Sequence, residues 1–233
     1  FLAARFNVGG APLVDHRTWA LASDGDLMEG VASEAASLAG HLRLGKLTVI
    51  YDDNSITIDG RTELAFSEDV GARFEAYGWR VLRVDDGNDL AAIDAALADA
   101  AGQEERPTLI VLRTVIADPA PTKRDTPGAH GAPLGAEEIR KTKAILGWPD
   151  EPFFVPEAAR ADLGAVSARG ADAEASWQRG RAAYAKAHPA EAERFRLWIS
   201  GDLPEGWDAG LPTFGIDAKA VETRKASAAA LKA

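Results

Sequence analysis

The chain has 233 residues, 46% of them hydrophobic and 27% charged, enough to bury one substantial core with a smaller appendage. It contains no cysteine, which excludes disulfides, thiolate nucleophiles and zinc-thiolate sites and suits a reducing compartment. A formal net charge of -10 argues against nucleic acid as a partner, because counterion-release binding needs clustered Lys and Arg. An anionic ligand would need a metal or backbone amides to help hold it. No apolar run reaches the roughly 18 residues that cross a bilayer, so no membrane partner is expected. The opening FLAARFNVGG lacks the basic start and cleavage site of a secretory signal, and the cytoplasm is the expected compartment. The sequence begins with Phe1 rather than Met and stops inside the alanine-rich run Ala226 to Ala233; both ends read as cuts within a longer polypeptide.

Apolar runs followed by turn residues predict strands at Thr18 to Ala22, Leu47 to Tyr51, Trp79 to Val84 and Thr108 to Val115. Helical stretches fill the gaps. Glu29 to Leu44 is rich in Ala, Leu and Ser. Glu68 to Tyr77 follows Ser67 as a candidate N-cap, with acidic residues in its first turn. Leu90 to Ala101 follows Asp89 and stops at Gly102. Strand and helix in alternation predict an α/β fold, a parallel sheet covered by helices on both faces.

Beyond the last strand, residues 117 to 135 (ADPAPTKRDTPGAHGAPLG) form a stretch rich in Pro and Gly, too long for a simple connection, and read as a functional loop. A helix over Ala136 to Leu146 follows, ended by Gly147, Trp148 and Pro149. Residues 156 to 200 predict two or three surface helices with Trp177, Tyr184, Phe195 and Trp198 interspersed. Leu203 to Phe214 reads as a Pro/Gly-rich linker, and Asp217 to Ala233 as the opening helix of a further domain.

Candidate chemistry begins where the first two strands end. Ser23, Asp24, Gly25 and Asp26 follow one strand, and Asp52, Asp53 and Asn54 follow the next, which puts both clusters at the carboxyl ends of a parallel sheet, where ligands of such sheets bind. Asp24 and Asn54 are one strand-helix-strand unit apart and can enter one coordination sphere. Mg²⁺ suits that arrangement, since it takes one or two carboxylates from protein and completes its shell with phosphate oxygens and water. Gly25 would let a diphosphate approach the backbone. Turn chemistry explains Asp-Gly equally well, and a nucleotide or a sugar phosphate would also fit.

The run from Ser23 to Gly60, SDGDLMEGVASEAASLAGHLRLGKLTVIYDDNSITIDG, closely resembles the thiamine diphosphate motif of transketolases, which opens with Gly-Asp-Gly or Ser-Asp-Gly and closes at an Asn. AHGAPLG at Ala129 to Gly135, LPEGWDAGLP at Leu203 to Pro212 and TRKAS at Thr223 to Ser227 extend the resemblance over essentially the whole chain. It implies a diphosphate- and Mg-binding domain over residues 1–147 with its N-terminal part missing, a helical and Pro/Gly-rich linker over 148–213, and the start of a pyrimidine-binding domain over 214–233.

The resemblance also implies site residues. Asp24 and Asn54 would bind Mg²⁺ (or Ca²⁺) through side-chain oxygens, and Ile56 through its backbone carbonyl. Gly25 would contact the diphosphate of thiamine diphosphate, and Ile58 and Ile116 its rings. Glu29 and Glu34 would join a carboxylate network at a homodimer interface, where the small residues Ala32, Ala35, Ala36, Ala39 and Gly40 either permit close helix contact or simply favour helix. His130 would act on the diphosphate and the reacting carbon, as an imidazole that moves protons near neutral pH. Arg224 would grip the phosphate of a sugar phosphate substrate. Where the family has a Gly-rich segment, this chain has Ala117 to Lys123, and Ser23 stands where Gly is commoner.

The activity implied is transfer of a two-carbon ketol unit from a ketose phosphate to an aldose phosphate in the pentose phosphate pathway, by a chain that is inactive alone. The alternative is a non-catalytic cofactor-binding and dimerisation subunit of a split thiamine enzyme. Phosphoketolase and dihydroxyacetone synthase are nearer rivals.

Overall fold

The computed structural model describes residues 1–215 and 220–232. In chain order the helices and strands are α1 Leu2–Phe6, β1 Thr18–Ser23, α2 Asp24–Met28, α3 Gly30–His41, β2 Leu47–Asp53, α4 Val70–Ala76, β3 Arg80–Val84, α5 Leu90–Gly102, β4 Thr108–Arg113, α6 Ala136–Ile145, α7 Glu157–Ala187, α8 Pro189–Ser200 and α9 Thr223–Ala230. They divide into two compact units, His16–Ala159 and a second made of Phe1–Asp15 with Arg160–Ala233.

The first unit is the expected parallel sheet. Its four strands run in the order β1-β2-β4-β3, every pairing parallel, with Ser23 opposite Asp52 and Thr48 opposite Thr108. Because side chains alternate along a strand, the central strands feed two cores. Tyr51, Leu109 and Val111 pack with Leu27, Ala36, Ala39, Phe74 and Trp79, under α3 and α4. On the other face Ile110 packs with Val84 and Ala100, and Ile50, Leu82, Ile93 and Leu97 close around them.

Two details differ from the sequence expectation. The stretch expected as one helix from Glu29 has an extended Glu29 as the N-cap of α3, and a separate short helix, α2, precedes it from Asp24. The N-cap of α4 is Asp69, not Ser67, since the Asp69 side chain accepts from the Ala72 N–H at 3.0 Å. Among the small residues of α3, Ala35 is exposed, while Ala36 and Ala39 are buried against Trp79, whose indole N–H donates to the Ala36 carbonyl at 2.8 Å. A Cβ at Gly40 would lie 1.9 Å from the Tyr77 carbonyl oxygen, so only glycine permits that approach.

The second unit is helical. The 31-residue α7 and the 12-residue α8 satisfy the expectation of two or three helices after residue 156. Pro189 opens α8, and Gly201 in the left-handed conformation closes it. Phe6, Leu13 and Val14 bury against Tyr184 and Phe195, and the Tyr184 hydroxyl donates to the Phe6 carbonyl at 2.6 Å. No described helix is long and apolar enough to cross a membrane. Of the helix expected over Asp217 to Ala233, residues 223–230 form α9, while 216–219 and 233 lie outside the described residues.

Candidate cation and diphosphate site

The site builds from the register of β1 and β2. Asp24 is the first residue after β1 and opens α2; Ser23 before it is held by Asp26, whose Oδ2 accepts from the Ser23 N–H at 2.8 Å and its hydroxyl at 2.9 Å. These bonds hold the Asp26 carboxyl below its usual range. Asp24 turns inward and is only 2% exposed. Its Oδ1 accepts from the Tyr51 hydroxyl at 2.6 Å, and its Oδ2 from the Ser55 N–H at 3.0 Å. Burial pushes the Asp24 carboxyl above its ordinary value and the Asp53 charge adds to this, against the opposing pull of Tyr51 and the amides of Ser55 and Asn54. Burial, with the Asp24 carboxylate behind it, also drives the Tyr51 phenol far up.

The turn after β2 brings Asn54 to the same place. Asn54 is buried, its Oδ1 accepts from the Ile56 N–H at 2.9 Å, and its Nδ2 donates to Asp52 at 3.2 Å. Ser55 has a φ of 61°, a left-handed conformation that folds the chain back so that its amide meets Asp24. Arg113 at the end of β4 braces this turn, donating to the Asp53 carboxylate at 3.0 Å and to the Ser55 hydroxyl at 2.6 Å.

Asp24 and Asn54 offer oxygen donors, a carboxylate and an amide carbonyl, and Ile56, two residues beyond Asn54, is a residue only 2% exposed. Among the described residues there is no group of three or more His, Asp or Glu able to hold a metal by itself. That chemistry fits a hard cation which takes few protein ligands and shares its shell with phosphate oxygens, as Mg²⁺ does. A buried carboxylate with a second acid, Asp53, acting on it is the electrostatic complement of such an ion, and the Arg113 guanidinium in the turn is engaged by Asp53 and Ser55. The space where a Gly25 Cβ would stand is open, which leaves the backbone free for a ligand to approach.

The other expected site residues are placed differently. Ile58 is 69% exposed. Ile116 is half-buried, and its carbonyl accepts from the Asp125 N–H at 3.0 Å. His130 is exposed at the end of a single 3₁₀ turn, Pro127–Ala129, and among the described residues no hydrogen bond or ion pair joins it to Asp24 or Asn54. Glu29 and Glu34 are exposed. Arg224 is exposed on α9 and pairs with Glu222 at 2.6 Å. Sequence reasoning put Asp52 in the cluster after β2 but gave it no role of its own, and it missed Tyr51, Thr114 and Arg113. The signal for Tyr51 and Asp52 was present in YDDN, because alternation along β2 sends the two to opposite faces.

A family model described as "Transketolase, thiamine diphosphate binding domain" matches residues 1–204. The chain belongs to the transketolase family. A transketolase from Geobacillus stearothermophilus is 49% identical over 234 residues, covering 100% of this chain and 35% of its own length. "Transketolase-1, chloroplastic" of Arabidopsis thaliana is 45% identical, covering 100% of this chain and 31% of its own length. Among solved structures, a transketolase of Pichia stipitis in complex with sedoheptulose-7-phosphate matches with a TM-score of 0.88 at 41% identity, over 99% of this chain and 34% of that one. The transketolase of Leishmania mexicana matches with a TM-score of 0.85 at 42% identity, over 92% of this chain and 32% of that one. The chain thus spans about a third of the length of the transketolases it matches.

Proposed function

We propose that this chain supplies the diphosphate- and cation-holding part of a transketolase that moves a two-carbon ketol unit from a ketose phosphate to an aldose phosphate in the pentose phosphate pathway. The observation that carries this reading is the buried carboxylate of Asp24, set beside the Asn54 turn at the ends of two adjacent parallel strands. Thiamine diphosphate, when bound, supplies the carbon nucleophile that cleaves and forms the carbon-carbon bond. The chain's own residues hold and orient. Asp24, Asn54 and the Ile56 carbonyl hold Mg²⁺, and Gly25 admits the diphosphate. Ile58 and Ile116 contact the rings. His130 donates to a phosphate oxygen or moves a proton at the reacting carbon, and Arg224 grips the substrate phosphate.

Residues 1–147 then form the diphosphate domain, 148–213 a linker and 214–233 the start of the pyrimidine-binding domain, which a working enzyme also needs. Val31 and Leu38 on α3 and Leu42 just after it are exposed, at 69%, 57% and 55%, which supports a covered face in a homodimer with Glu29 and Glu34 at its rim. The cytoplasm is the proposed compartment, although one relative is named chloroplastic.

The test is titration of the purified chain with thiamine diphosphate with and without Mg²⁺, followed by an assay with a ketose phosphate donor and an aldose phosphate acceptor. Binding is expected to require Mg²⁺ and to be weak, and no ketol transfer is expected until a pyrimidine-binding domain is supplied. Cofactor binding indifferent to EDTA would overturn the cation reading. Robust turnover by the chain alone would overturn the shared site.

A further inference from the structure

Asn54 offers a ligand oxygen only if its amide is held the right way round. Carboxamide O and N have nearly the same shape, so packing alone does not distinguish the two orientations; hydrogen-bond partners must. Here they do so from both sides. Nδ2 faces Asp52 Oδ2 at 3.2 Å, and a carboxylate only accepts. Oδ1 faces the Ile56 N–H at 2.9 Å, and a backbone N–H only donates. A flipped amide would set oxygen against carboxylate and NH₂ against N–H, two repulsions in place of two bonds. Asp52 is itself fixed from the neighbouring strand, since the Thr114 hydroxyl donates to its other oxygen, Oδ1. Thr114 lies just beyond β4, and its N–H donates to the Asp53 carbonyl at 3.1 Å, continuing the sheet pairing under the turn.

We propose that Asp52 is a positioning residue: carried by Thr114, it holds the Asn54 amide nitrogen so that the amide oxygen, with one lone pair not used by Ile56, faces the cation. The inference rests on the cation site proposed above and adds a role for its supporting layer. Outer partners of this kind orient a ligand they do not replace, and losing one weakens metal binding by about 10- to 100-fold. The role is orientation, not charge, and the two make opposite forecasts for the isosteric amide. In Asp52→Asn the new carbonyl oxygen still accepts from Asn54 Nδ2, and its NH₂ donates to the Thr114 hydroxyl oxygen, so the arrangement survives without the negative charge.

The experiment is Mn²⁺ binding to the purified chain, with free Mn²⁺ read by electron paramagnetic resonance and folding checked by circular dichroism. Mn²⁺ is a suitable probe because it shares the preference of Mg²⁺ for oxygen donors. Asp52→Ala is expected to weaken binding about tenfold or more, and Asp52→Asn by no more than about threefold. Thr114→Val, which keeps the side-chain shape, should give a loss between the two. If Asp52→Ala does not fold, the Asn and Val variants decide: retention in the first with loss in the second supports orientation, and the reverse overturns it. Equal weakening in Asp52→Asn and Asp52→Ala would show a charge effect and overturn the proposal, as would unchanged binding in Asp52→Ala. A wild-type chain without saturable Mn²⁺ binding, or binding insensitive to Asp24→Ala, would remove the cation site itself, and this proposal with it.

Discussion

Two segments of the sheet unit, the turn after β2 and the loop of residues 117–135, are built on opposite terms. In the turn each functional group already has partners: Asp24 has Tyr51 and Ser55, Asn54 has Asp52 and Ile56, and Arg113 ties Asp53 to Ser55. The loop is anchored near its start, where Glu138 accepts from the Thr122 and Lys123 N–H groups and Asp125 pairs with Arg61, and it leaves His130 exposed. A group that holds an ion must be arranged before the ion arrives, or binding must supply the ordering free energy. A group that handles protons on a substrate needs access, which burial would deny.

The sharpest way to break this contrast is to remove Asp24. Asp24→Ala is expected to abolish Mg²⁺-dependent cofactor binding while far-UV circular dichroism stays unchanged, because the residue lies past the end of β1 and takes no part in the strand pairing. The same carboxyl gives a pH signature. Its pKa is raised in the folded chain, so the folded state binds this proton more tightly than the unfolded state, and without a cation stability falls as pH climbs from about 4 through the raised value. Mg²⁺ binds the ionised form. The increase in Tm that Mg²⁺ produces should therefore grow from acid toward neutral pH in the wild type, and an increase independent of pH would count against Asp24 as the ligand.

His130→Ala tests the other side of the contrast. In a transketolase assembled around this chain, turnover should fall by about 10²-fold or more, while stability changes by no more than about 0.5 kcal/mol, the usual range for an exposed side chain. Parallel losses in activity and Tm would mean that the imidazole holds the loop instead of serving chemistry. Tyr51→Phe should lie between these cases. It keeps the ring in the core and removes only the 2.6 Å bond that orients Asp24, so cation affinity should drop about tenfold with a small change in Tm. Unchanged affinity in a cation titration would reduce Tyr51 to a packing role.

How much of this was legible in the sequence follows the range of each interaction. Strand ends at Ser23 and Asp53, and the Asp89 cap on α5, come from neighbours in sequence, and local pattern located them within one or two residues. Asp24 and Asn54 fell at adjacent strand ends because a parallel crossover fixes which ends meet. The cap of α4 was misread because Ser67 and Asp69 are both good N-caps, and only the fold shows that Asp69 also reaches Arg83 at 3.2 Å. Contacts between distant residues left no local trace. The Thr114 to Asp52 bond spans 62 residues and the Tyr184 to Phe6 bond 178, and nothing in FLAARF indicates that Phe6 is 0% exposed. Ala36, Ala39 and Gly40 show the same limit, since composition told that the helix would be narrow but not which neighbour used the space.

The smallest expected effect concerns the anchor of the loop. Glu138 lies in the first turn of α6, where a carboxylate is favoured by the helix N-terminus, and its Oε1 accepts from the Thr122 N–H at 2.6 Å and the Lys123 N–H at 3.1 Å. The Thr122 amide, first among these bonds, holds the Glu138 carboxyl below its usual range. A lowered carboxyl contributes stability that is present above the unfolded glutamate pKa and is lost as pH falls through the lowered folded value. Glu138→Gln keeps an acceptor oxygen and should preserve the anchor with little change in amide exchange. Glu138→Ala leaves two backbone donors to water, and exchange at Thr122 and Lys123 should accelerate while β2 and β4 stay protected, with Tm falling by only a few degrees. If the loop's order comes from Glu138, turnover in a complete enzyme should fall less than in His130→Ala, because the imidazole is still present but held less well. Unchanged exchange at residues 122 and 123 would show that Arg61, Arg124 and the loop's own turns suffice to hold it, and would leave the loop as preformed as the turn that carries Asn54.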